Sequence, residues 1–313
     1  MHIRPFQGQD EAQLLEVWDL AMPNDRINTS LFCTQVLLDP NFHPANLPVA
    51  IEDGRVVGFI LCLTRQVPLF LQGLEPENAW ITAFGVHPDY RRRGVGTALF
   101  EHVIGKLSAE GRKTLDISPY VPNYFVPGID RNAYPETITF LESKLGFRTL
   151  YHAISMGANL TDFQIPQDIR QMLLQREAQD GLTIRTVTSA DIPDLMPFLI
   201  EHFGWDWYRH AQSYLLEYFG DSPHRICFLV ARLQGEIVGF CQQRDERFGP
   251  FGVRPDCRGQ GIGRLLLFKC LEIMNAKHVY FSYFLWTDEK AARLYSIAGF
   301  ERRREFAVMR KDL

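Results

Sequence analysis

The sequence predicts an α/β fold arranged as two tandem domains, and three observations lead to this prediction. The chain has 313 residues, more than one hydrophobic core usually serves, since about 150 residues per domain is typical. Four segments recur in the same order in the two halves. Within each half, strand patterns alternate with amphipathic helix patterns. We therefore predict domains at 1–160 and 182–313, joined by a polar linker with a short helical pattern at 161–181.

The composition is that of an ordinary folded protein, with 46% hydrophobic, 12% aromatic and 22% charged residues. The formal net charge of −4 gives no electrostatic reason to expect a nucleic acid or an anionic membrane as the main partner. The arginine runs at 91–93 and 302–304 lie beside a candidate phosphate loop and a strand, respectively. We therefore expect no nucleic-acid partner.

Neither secretion nor membrane insertion is indicated by the sequence. The N-terminus lacks a basic segment followed by an apolar stretch, and no run of about 18 apolar residues occurs. Six scattered cysteines without a C-x-x-C pair favour reduced thiols over a disulfide framework or a zinc site. We expect a cytoplasmic location, no membrane partner and no metal. The cysteines are Cys33, Cys62, Cys227, Cys241, Cys257 and Cys270.

The internal repeat is visible at separated places along the chain. Each half begins with Ile-Arg, at 3–4 and 184–185, followed by an acidic-led amphipathic helix pattern. Apolar runs on either side of a polar, glycine-containing turn then predict a β-hairpin in each half. The remaining matches are a glycine-rich segment and a short Gly-Phe ending. The last three matched pairs are 50–59 with 231–240, 84–96 with 251–263, and 145–147 with 298–300.

The glycine-rich segment of each half has a chemistry of its own. An apolar strand and a Pro-Asp turn precede Arg-x-x-Gly-x-Gly, and a helix pattern follows. Glycines let successive backbone N–H groups point into one concavity, and the N-terminus of the next helix adds positive potential. A pyrophosphate fits such a turn without a metal. One copy alone is compatible with an ordinary strand-to-helix turn, whereas two copies in the same context predict phosphate binding.

Other phosphate-binding loops fit these segments less well. Neither the glycine pair at 94–96 nor that at 261–263 continues to a third glycine or alanine at the spacing of dinucleotide-binding folds. The arginine-rich run ahead of each pair also occupies what would be a buried strand there. The lysine of a Walker A loop is missing.

Residues 86–96 (VHPDYRRRGVG) and 253–263 (VRPDCRGQGIG) resemble motif A of the GNAT superfamily of N-acetyltransferases. For each half the resemblance implies a mostly antiparallel twisted sheet, splayed between its fourth and fifth strands, with flanking helices. It also implies acetyl-CoA as the acyl donor, with pantetheine along the backbone of the fourth strand and the pyrophosphate in the glycine-rich loop.

The resemblance assigns donor-binding residues to both halves. In the N-terminal half these are Phe84, Gly85, Val86, Arg91, Arg92, Arg93, Gly94, Val95, Gly96 and Thr97. In the C-terminal half they are Phe251, Gly252, Val253, Arg258, Gly259, Gln260, Gly261, Ile262, Gly263, Arg264 and Asp288.

Residues 288–300 are similar to a second segment of the family, Asn-x-x-Ala-x-x-Leu-Tyr-x-x-x-Gly-Phe. Tyr295 then falls on the position of the general acid that reprotonates the leaving thiolate, while Asp288 replaces the asparagine that is frequent there. The N-terminal half has Glu142 in place of the tyrosine, with Tyr124 or Tyr134 as a substitute if the inserted loop folds back. The resemblance therefore favours the C-terminal half for catalysis and leaves the N-terminal half as a second active site or a binding or packing partner.

Acyl transfer to an amine also requires a base that keeps the amine neutral. Glu246, or its neighbour Asp245, lies at a strand edge where the family often uses a carboxylate through water, and Glu77 is the counterpart in the N-terminal half. The aromatic segment 203–208 either packs against the core or shapes an acceptor pocket.

The expected activity is transfer of an acetyl group from acetyl-CoA to a primary amine by direct attack. The acceptor is expected to be an amine of a small molecule or a peptide. Loop shape rather than a motif sets the choice between acceptors. The tandem layout also resembles that of mycothiol synthase, which acetylates a cysteinyl amine. A protein of another class, a non-catalytic acyl-CoA sensor, is the alternative. In each case the halves form an internal pseudo-dimer, within a monomer or a homodimer.

Overall fold

The computed structural model describes all 313 residues and divides them into two compact units. Unit 1 comprises Met1–Ala153 and Arg304–Leu313, and unit 2 comprises Ile154–Arg303. Each unit combines one twisted set of strands with helices, so the predicted α/β class with two tandem parts is confirmed.

The first repeat contains seven strands and four helices. In chain order they are β1 (His2–Pro5), α1 (Glu11–Ala21), α2 (Thr29–Phe32), β2 (Pro48–Glu52), β3 (Arg55–Leu63), β4 (Asn78–Val86), α3 (Val95–Ala109), β5 (Thr114–Ile117), β6 (Ile129–Asp130), α4 (Pro135–Leu145) and β7 (Arg148–Asn159).

The second repeat contains six strands and five helices. In chain order they are α5 (Gln167–Asp180), β8 (Leu182–Thr186), α6 (Ile192–Phe203), α7 (Trp205–Phe219), β9 (Ile226–Leu233), β10 (Glu236–Arg244), β11 (Arg247–Val253), α8 (Ile262–Ala276), β12 (Phe281–Thr287), α9 (Glu289–Ile297) and β13 (Glu301–Asp312).

The strands of unit 1 follow the order β1-β2-β3-β4-β5-β13. Neighbouring pairs are antiparallel except for β4 and β5, which are parallel. The predicted hairpin β2–β3 is present, and its turn places Asp53 and Gly54 at φ values of 50° and 76°. Such left-handed pairs match the twist of the flanking strands.

The strands of unit 2 follow the order β7-β12-β11-β10-β9-β8. Again all neighbouring pairs are antiparallel except one, β11 with β12. The predicted hairpin β9–β10 turns through Gln234 and Gly235, at φ values of 53° and 90°. The two units therefore share one strand pattern, as the internal repeat predicts.

Apolar side chains pack on both faces of each sheet. In unit 1, the face covered by α1 and α2 buries Trp18, Phe32 and Phe59, and the face covered by α3 and α4 buries Leu99 and Leu141. Alternation along the strands separates the two sets, because successive strand residues point to opposite faces. Unit 2 has the same two layers, one against α6 and α7 and one against α5, α8 and α9.

The compact units differ from the predicted domains at three places. Residues 154–160 belong to unit 2, where Ile154 to Asn159 pair with β12. The end of β13, Arg304 onward, belongs to unit 1, where Met309 to Asp312 pair with Ile117 to Thr114. Within residues 161–181, expected to be a linker with a short helical pattern, α5 spans Gln167–Asp180 and buries Ile169 in the core of unit 2. The three differences have the same cause: a strand or helix belongs to the unit that buries its apolar side chains, irrespective of its place in the chain.

Candidate functional site

The glycine-rich loop of unit 1 has the backbone form expected of an anion site. Arg92 and Gly94 lie in the left-handed region, at φ values of 61° and 83°, with the extended Arg91 before them. Helix α3 then begins at Val95, so the N–H groups of its first turn have no partner within the helix. This alternation of conformations, followed by a helix N-terminus, gathers backbone donors at one spot.

The arginines of this loop are held in different ways. Arg91 donates to the carbonyl of Val86 at 3.2 Å and to that of Ala21 at 3.4 Å. Arg92 is exposed and lies 3.6 Å from Glu136. Arg93 stacks over the Tyr90 ring, 5.2 Å from its centroid.

The loop of unit 2 has the same backbone form. Gly259 and Gly261 have φ values of 79° and 82°, and α8 begins at Ile262. Arg258 donates to the carbonyl of Val253 at 3.1 Å, as Arg91 does to its counterpart. Arg92 of unit 1 thus has the left-handed conformation that Gly259 has in unit 2. This conformation is unfavourable by about 1–3 kcal/mol for a residue with a side chain.

Helix α5 lies against the loop of unit 2. Arg176 donates to the carbonyl of Gln260 at 2.5 Å, and a Cβ added to Gly261 would lie 3.4 Å from the Met172 sulfur. Gln260 also donates to the Asp256 carbonyl at 3.4 Å. In unit 1, by contrast, a Cβ at Gly94 would meet no atom within 4 Å.

Strands β4 and β5 of unit 1 are paired over four residues and then diverge. The point of divergence, after Ile81 and Ile117, is called the fork below. The two strands pair from Asn78 with Thr114 to Ile81 with Ile117, and the N–H of Ser118 makes one more bond, of 3.1 Å, to the carbonyl of Ile81. Strand β4 continues to Val86 without this neighbour. The expected splay between the fourth and fifth strands is therefore present in unit 1.

A cavity of about 710 Å³ joins this fork to the glycine-rich loop of unit 1. Its walls come from the end of α1, the free part of β4, the loop, the first turn of α3, the segment after β5, and α4. Nine of the ten residues that the family resemblance assigns to donor binding in this half line it: Phe84, Gly85, Val86, Arg91, Arg92, Gly94, Val95, Gly96 and Thr97. The tenth, Arg93, does not.

Gly85, which lines this cavity, has no room for a side chain. A Cβ at this position would lie 2.7 Å from the Cβ of Ala21 and 3.1 Å from the Phe59 ring. Only glycine lets β4 approach the end of α1 so closely.

A partly buried polar pair, Asp25 and Tyr134, lies in the cavity wall. The Tyr134 hydroxyl donates to Asp25 Oδ2 at 3.0 Å and accepts from the N–H of Asn24 at 3.4 Å. Burial, together with the adjacent Asp25 carboxylate, raises the pKa of Tyr134 to about 12. The phenol therefore stays protonated at neutral pH. The inserted loop does bring Tyr134 into the cavity wall.

Two hydroxyl groups line the cavity at the fork. Thr82 and Ser118 are 7% and 2% exposed, and neither hydroxyl has a protein hydrogen-bond partner. Unpartnered buried hydroxyls are unusual, and here both belong to residues that line a cavity large enough for a ligand.

Glu142, which the sequence aligns with Tyr295, is exposed and accepts a hydrogen bond from Thr149. In the structure, Leu141 rather than Glu142 occupies the buried position that corresponds to Tyr295. The carbonyl of Leu141 accepts a hydrogen bond from the N–H of Phe147, and the carbonyl of Tyr295 accepts one from the N–H of Phe300. The one-residue offset arises because the two helices end differently. Gly146, in the left-handed conformation, follows α4 directly, whereas Ala298 separates the end of α9 from Gly299.

Tyr295 is buried in an aromatic cluster of unit 2. Its ring centroid lies 4.3 Å from that of Phe284 and 5.7 Å from that of Phe251. No protein hydrogen bond is made by its hydroxyl, and burial raises the pKa of Tyr295 above its usual value. Its role as general acid stays a prediction.

The fork of unit 2 differs from that of unit 1. Strands β11 and β12 pair only at Arg247 with Tyr283. Among the donor-binding residues predicted here, a Cβ at Gly252 would lie 2.3 Å from the Phe203 ring, so α6 packs closely on the strand. Pro250 stands where unit 1 has Ala83 and has no N–H to donate to the neighbouring strand β10.

The remaining predicted residues of unit 2 lie at the surface or at helix ends. Asp288 caps α9, accepting from the N–H of Ala291 at 2.7 Å. Glu246 is exposed in the β10–β11 turn, and its neighbour Asp245 pairs with Arg225, whose guanidinium lowers the pKa of Asp245. Glu77, the counterpart in unit 1, pairs with Lys113.

No group of three or more His, Cys, Asp or Glu side chains is arranged to hold a metal ion. No helix is both long and apolar enough to span a bilayer.

The sequence profile of the acetyltransferase (GNAT) family matches this chain twice, at residues 13–124 and 192–300. The chain belongs to the GNAT family. The predictions of GNAT membership, of a tandem arrangement and of an acyltransferase activity are thereby confirmed. Members of this family use acetyl-CoA as acyl donor.

Relatives and solved structures of this family resemble the chain. Mycothiol acetyltransferase of Frankia casuarinae is 25% identical over 277 residues, covering 82% of this chain and 72% of that protein. L-2,4-diaminobutyric acid acetyltransferase of Nocardia farcinica is 29% identical over 109 residues, covering 34% of this chain and 52% of that protein. A tandem GNAT protein from the clavulanic acid biosynthesis pathway superposes with a TM-score of 0.64 at 16% identity, covering 99% of this chain and 98% of that one; this likeness concerns the fold.

Sequence analysis missed three residues that line the cavity of unit 1, Asp25, Thr82 and Ser118. It also missed Arg304, which donates to both carboxylate oxygens of Asp25. Thr82 was visible as a lone hydroxyl inside the apolar strand 79–86, which is a weak signal. Asp25 and Arg304 are brought together only by the fold, since they lie at opposite ends of the chain.

Proposed function

We propose that this GNAT protein transfers the acetyl group of acetyl-CoA to a primary amine of a small molecule, and that unit 1 holds the donor. The observation that carries this proposal is the cavity of about 710 Å³, which joins the glycine-rich loop to the fork. The sequence favours unit 2 as the catalytic half because of Tyr295, whereas the cavity favours unit 1 as the half that binds the donor.

The walls of this cavity fit the parts of the donor. The first turn of α3 offers unpaired backbone N–H groups to the pyrophosphate, with Arg91 and Arg92 beside them. The free part of β4 offers main-chain groups to the pantetheine at Phe84 and Val86, which alternate with the residues that bond to β3. Gly96 leaves room at the loop, because an added Cβ would meet nothing nearer than 3.7 Å.

Direct attack by the amine requires a proton for the leaving thiolate. We assign this donor role to Tyr134, because its hydroxyl lines the cavity and remains protonated at neutral pH. Its O–H bond rotates about the C–O bond, so the proton now shared with Asp25 is available to a second acceptor. Glu246 as base and Tyr295 as acid, both in unit 2, constitute the rival assignment.

A matched pair of glycine variants tests the location of the donor. Gly96 and Gly263 each lie in the first turn of a helix, with room for a Cβ, at 3.7 Å and 3.6 Å from the nearest atoms. Glutamate is favourable at a helix N-terminus but repels a phosphate placed there. We expect Gly96→Glu to abolish binding of acetyl-CoA, measured by calorimetry on the full chain, and Gly263→Glu to retain it. Loss in Gly263→Glu alone would move the donor to unit 2, and no binding by the unmodified chain would refute the proposal.

Small amines are the acceptors to test first. The relatives named above are a mycothiol acetyltransferase and a diaminobutyric acid acetyltransferase, and their names support a small-molecule amine. A mycothiol-type reaction is the second candidate, because that likeness extends over 82% of the chain. Thiol release from acetyl-CoA should be compared with a cysteinyl amine and with 2,4-diaminobutyric acid. Stimulation by the cysteinyl amine alone would favour the second candidate.

A further inference from the structure

The fork of unit 1 presents two hydroxyl groups whose hydrogen bonds are incomplete. Thr82 and Ser118 are more than nine-tenths buried, line the cavity, and have no protein partner for Oγ1 and Oγ. Burial of a hydroxyl without a partner is unfavourable, so native structures rarely contain such groups without a reason. The N–H of Ser118 donates to the carbonyl of Ile81, the residue before Thr82, so the two residues lie at the same end of the cavity and indicate a ligand atom that both can bind.

The backbone at this point is specialised as well. The register of β3 with β4 shifts between Leu61 with Ala83 and Cys62 with Ile81, so Thr82 is the extra residue of a β-bulge. Bulges redirect a side chain away from the alternation of the strand. Ser118 has a φ of 42°, a left-handed conformation that is unfavourable for a residue with a side chain and is concentrated at functional sites.

The distance from the glycine-rich loop identifies which part of the donor lies here. Thr82 precedes Val86, the last residue of β4, by four positions, which is roughly 13 Å along a strand. With the pyrophosphate at the loop and the pantetheine along β4, the acyl end of the donor lies at the fork. This step rests on the function proposed above.

We propose that the hydroxyls of Thr82 and Ser118 together bind the carbonyl oxygen of the donor thioester. A carbonyl oxygen has two lone pairs and accepts two hydrogen bonds, and each hydroxyl has one proton to donate. During transfer the amine nitrogen bonds to the carbonyl carbon, and the oxygen gains negative charge that both hydroxyls stabilise. The C–S bond then breaks, the C=O bond re-forms, and the proton lost by the nitrogen is balanced by the one gained by the sulfur.

Unit 2 lacks both hydroxyls. The parallel register pairs Trp80 with Asp116 in unit 1 and Arg247 with Tyr283 in unit 2. Counting two residues onward along each strand, Thr82 corresponds to Gly249 and Ser118 to Leu285. The proposed carbonyl site is therefore a property of unit 1, even though the loops of the two units agree.

Comparison of acetyl-CoA with free coenzyme A isolates the carbonyl contact, because only the former has the thioester. Thr82→Val and Ser118→Ala remove a hydroxyl each at nearly constant shape. We expect coenzyme A to bind each variant as it binds the unmodified chain, and acetyl-CoA to bind about 3- to 10-fold more weakly, as for a lost neutral hydrogen bond. Turnover with an active amine should fall about 100-fold, the scale for loss of one oxyanion donor. Thr64→Val is the control, since Thr64 is equally buried and lies outside this cavity.

The outcomes separate this inference from the proposed function. If neither ligand binds the unmodified chain, the proposed function fails. If both bind, and the ratio of their dissociation constants and the turnover are unchanged in Thr82→Val and Ser118→Ala, the carbonyl site is refuted while the proposed function stands. Should those variants not fold, Thr82→Ala and Ser118→Gly replace them, because glycine accepts a φ of 42° without strain. Thr82→Ser keeps a hydroxyl and should restore the ratio.

Discussion

Arg304 donates to both oxygens of Asp25, with 2.6 Å from Nη1 to Oδ1 and 2.9 Å from Nη2 to Oδ2. The two residues are 279 positions apart in the chain. The same guanidinium donates through Nε to Asp130 Oδ2 at 2.6 Å, and Asp25 accepts the hydroxyl of Tyr134. A residue from the end of the second repeat thus holds a wall of the cavity in unit 1.

Replacement of Arg304 by methionine should destabilise unit 1 by about 3–5 kcal/mol, because it leaves two buried carboxylates without a counter-charge. The side chains of Asp25 and Asp130 are only 9% and 5% exposed. Urea denaturation measures the change. Arg303→Met is the control, because Arg303 pairs with Glu301 at the surface and should contribute less than about 1 kcal/mol. Equal urea midpoints for the two variants would contradict this account of Arg304.

A fragment of residues 1–160 should not fold like the intact chain. It contains the whole first repeat but lacks the part of β13 that pairs with β5, and it lacks Arg304. We expect no cooperative thermal transition from this fragment and no binding of acetyl-CoA. A cooperative transition with intact binding would show that the first repeat is self-sufficient.

Local features of the site were predictable from the sequence, and contacts between distant residues were not. The glycine-rich loops follow from the order strand, turn, Gly-x-Gly and helix, which is encoded within about a dozen residues, and their left-handed Gly94 and Gly261 agree with that prediction. Arg304 belongs to unit 1 because the last strand, β13, pairs there with β5. No local pattern of residues encodes this pairing.

Shifts of one residue between the two repeats are also not detected by aligning their sequences. Counting back from the Gly-Phe ending equates Glu142 with Tyr295, but the different helix ends put Leu141 in that place. Thr82 is similar, because a bulge of one residue at this position interrupts the alternation of side chains along β4. Such single-residue shifts are set by hydrogen bonding in the folded state, so a pattern of residue types does not reveal them.

Two glycine-to-alanine variants should have opposite effects on stability. At Gly85 the added Cβ would lie 2.7 Å from the Cβ of Ala21, so overpacking should lower the free energy of unfolding by about 1–3 kcal/mol. At Gly105, inside α3, the Cβ meets nothing within 4 Å, and the higher helix propensity of alanine should add about 0.5–1 kcal/mol. Thermal unfolding of both variants checks the signs, and a stabilised Gly85→Ala would contradict the close packing of β4 on α1.

Alkaline titration should report the environment of Tyr134. Burial and the Asp25 carboxylate raise its pKa to about 12 in the folded chain, above the ordinary value of about 10. The folded state therefore holds this proton more tightly, so its contribution to stability is complete below about pH 10 and is lost as the pH rises through about 12. Urea denaturation of Tyr134→Phe and the unmodified chain should give a stability difference that narrows over this range, the other tyrosines being common to both. Parallel pH curves would place Tyr134 in an ordinary environment.

Turnover of two tyrosine variants should identify the catalytic unit. Tyr134→Phe removes the hydroxyl that lines the cavity of unit 1, so kcat for thiol release should fall about 100-fold with little change in KM for acetyl-CoA. Tyr295→Phe removes a buried hydroxyl that has no protein partner, so stability should be unchanged or slightly higher, and kcat should stay within about twofold. The opposite pattern, with kcat reduced only in Tyr295→Phe, would assign the chemistry to unit 2, because both substitutions keep the ring and its packing while removing one proton donor each.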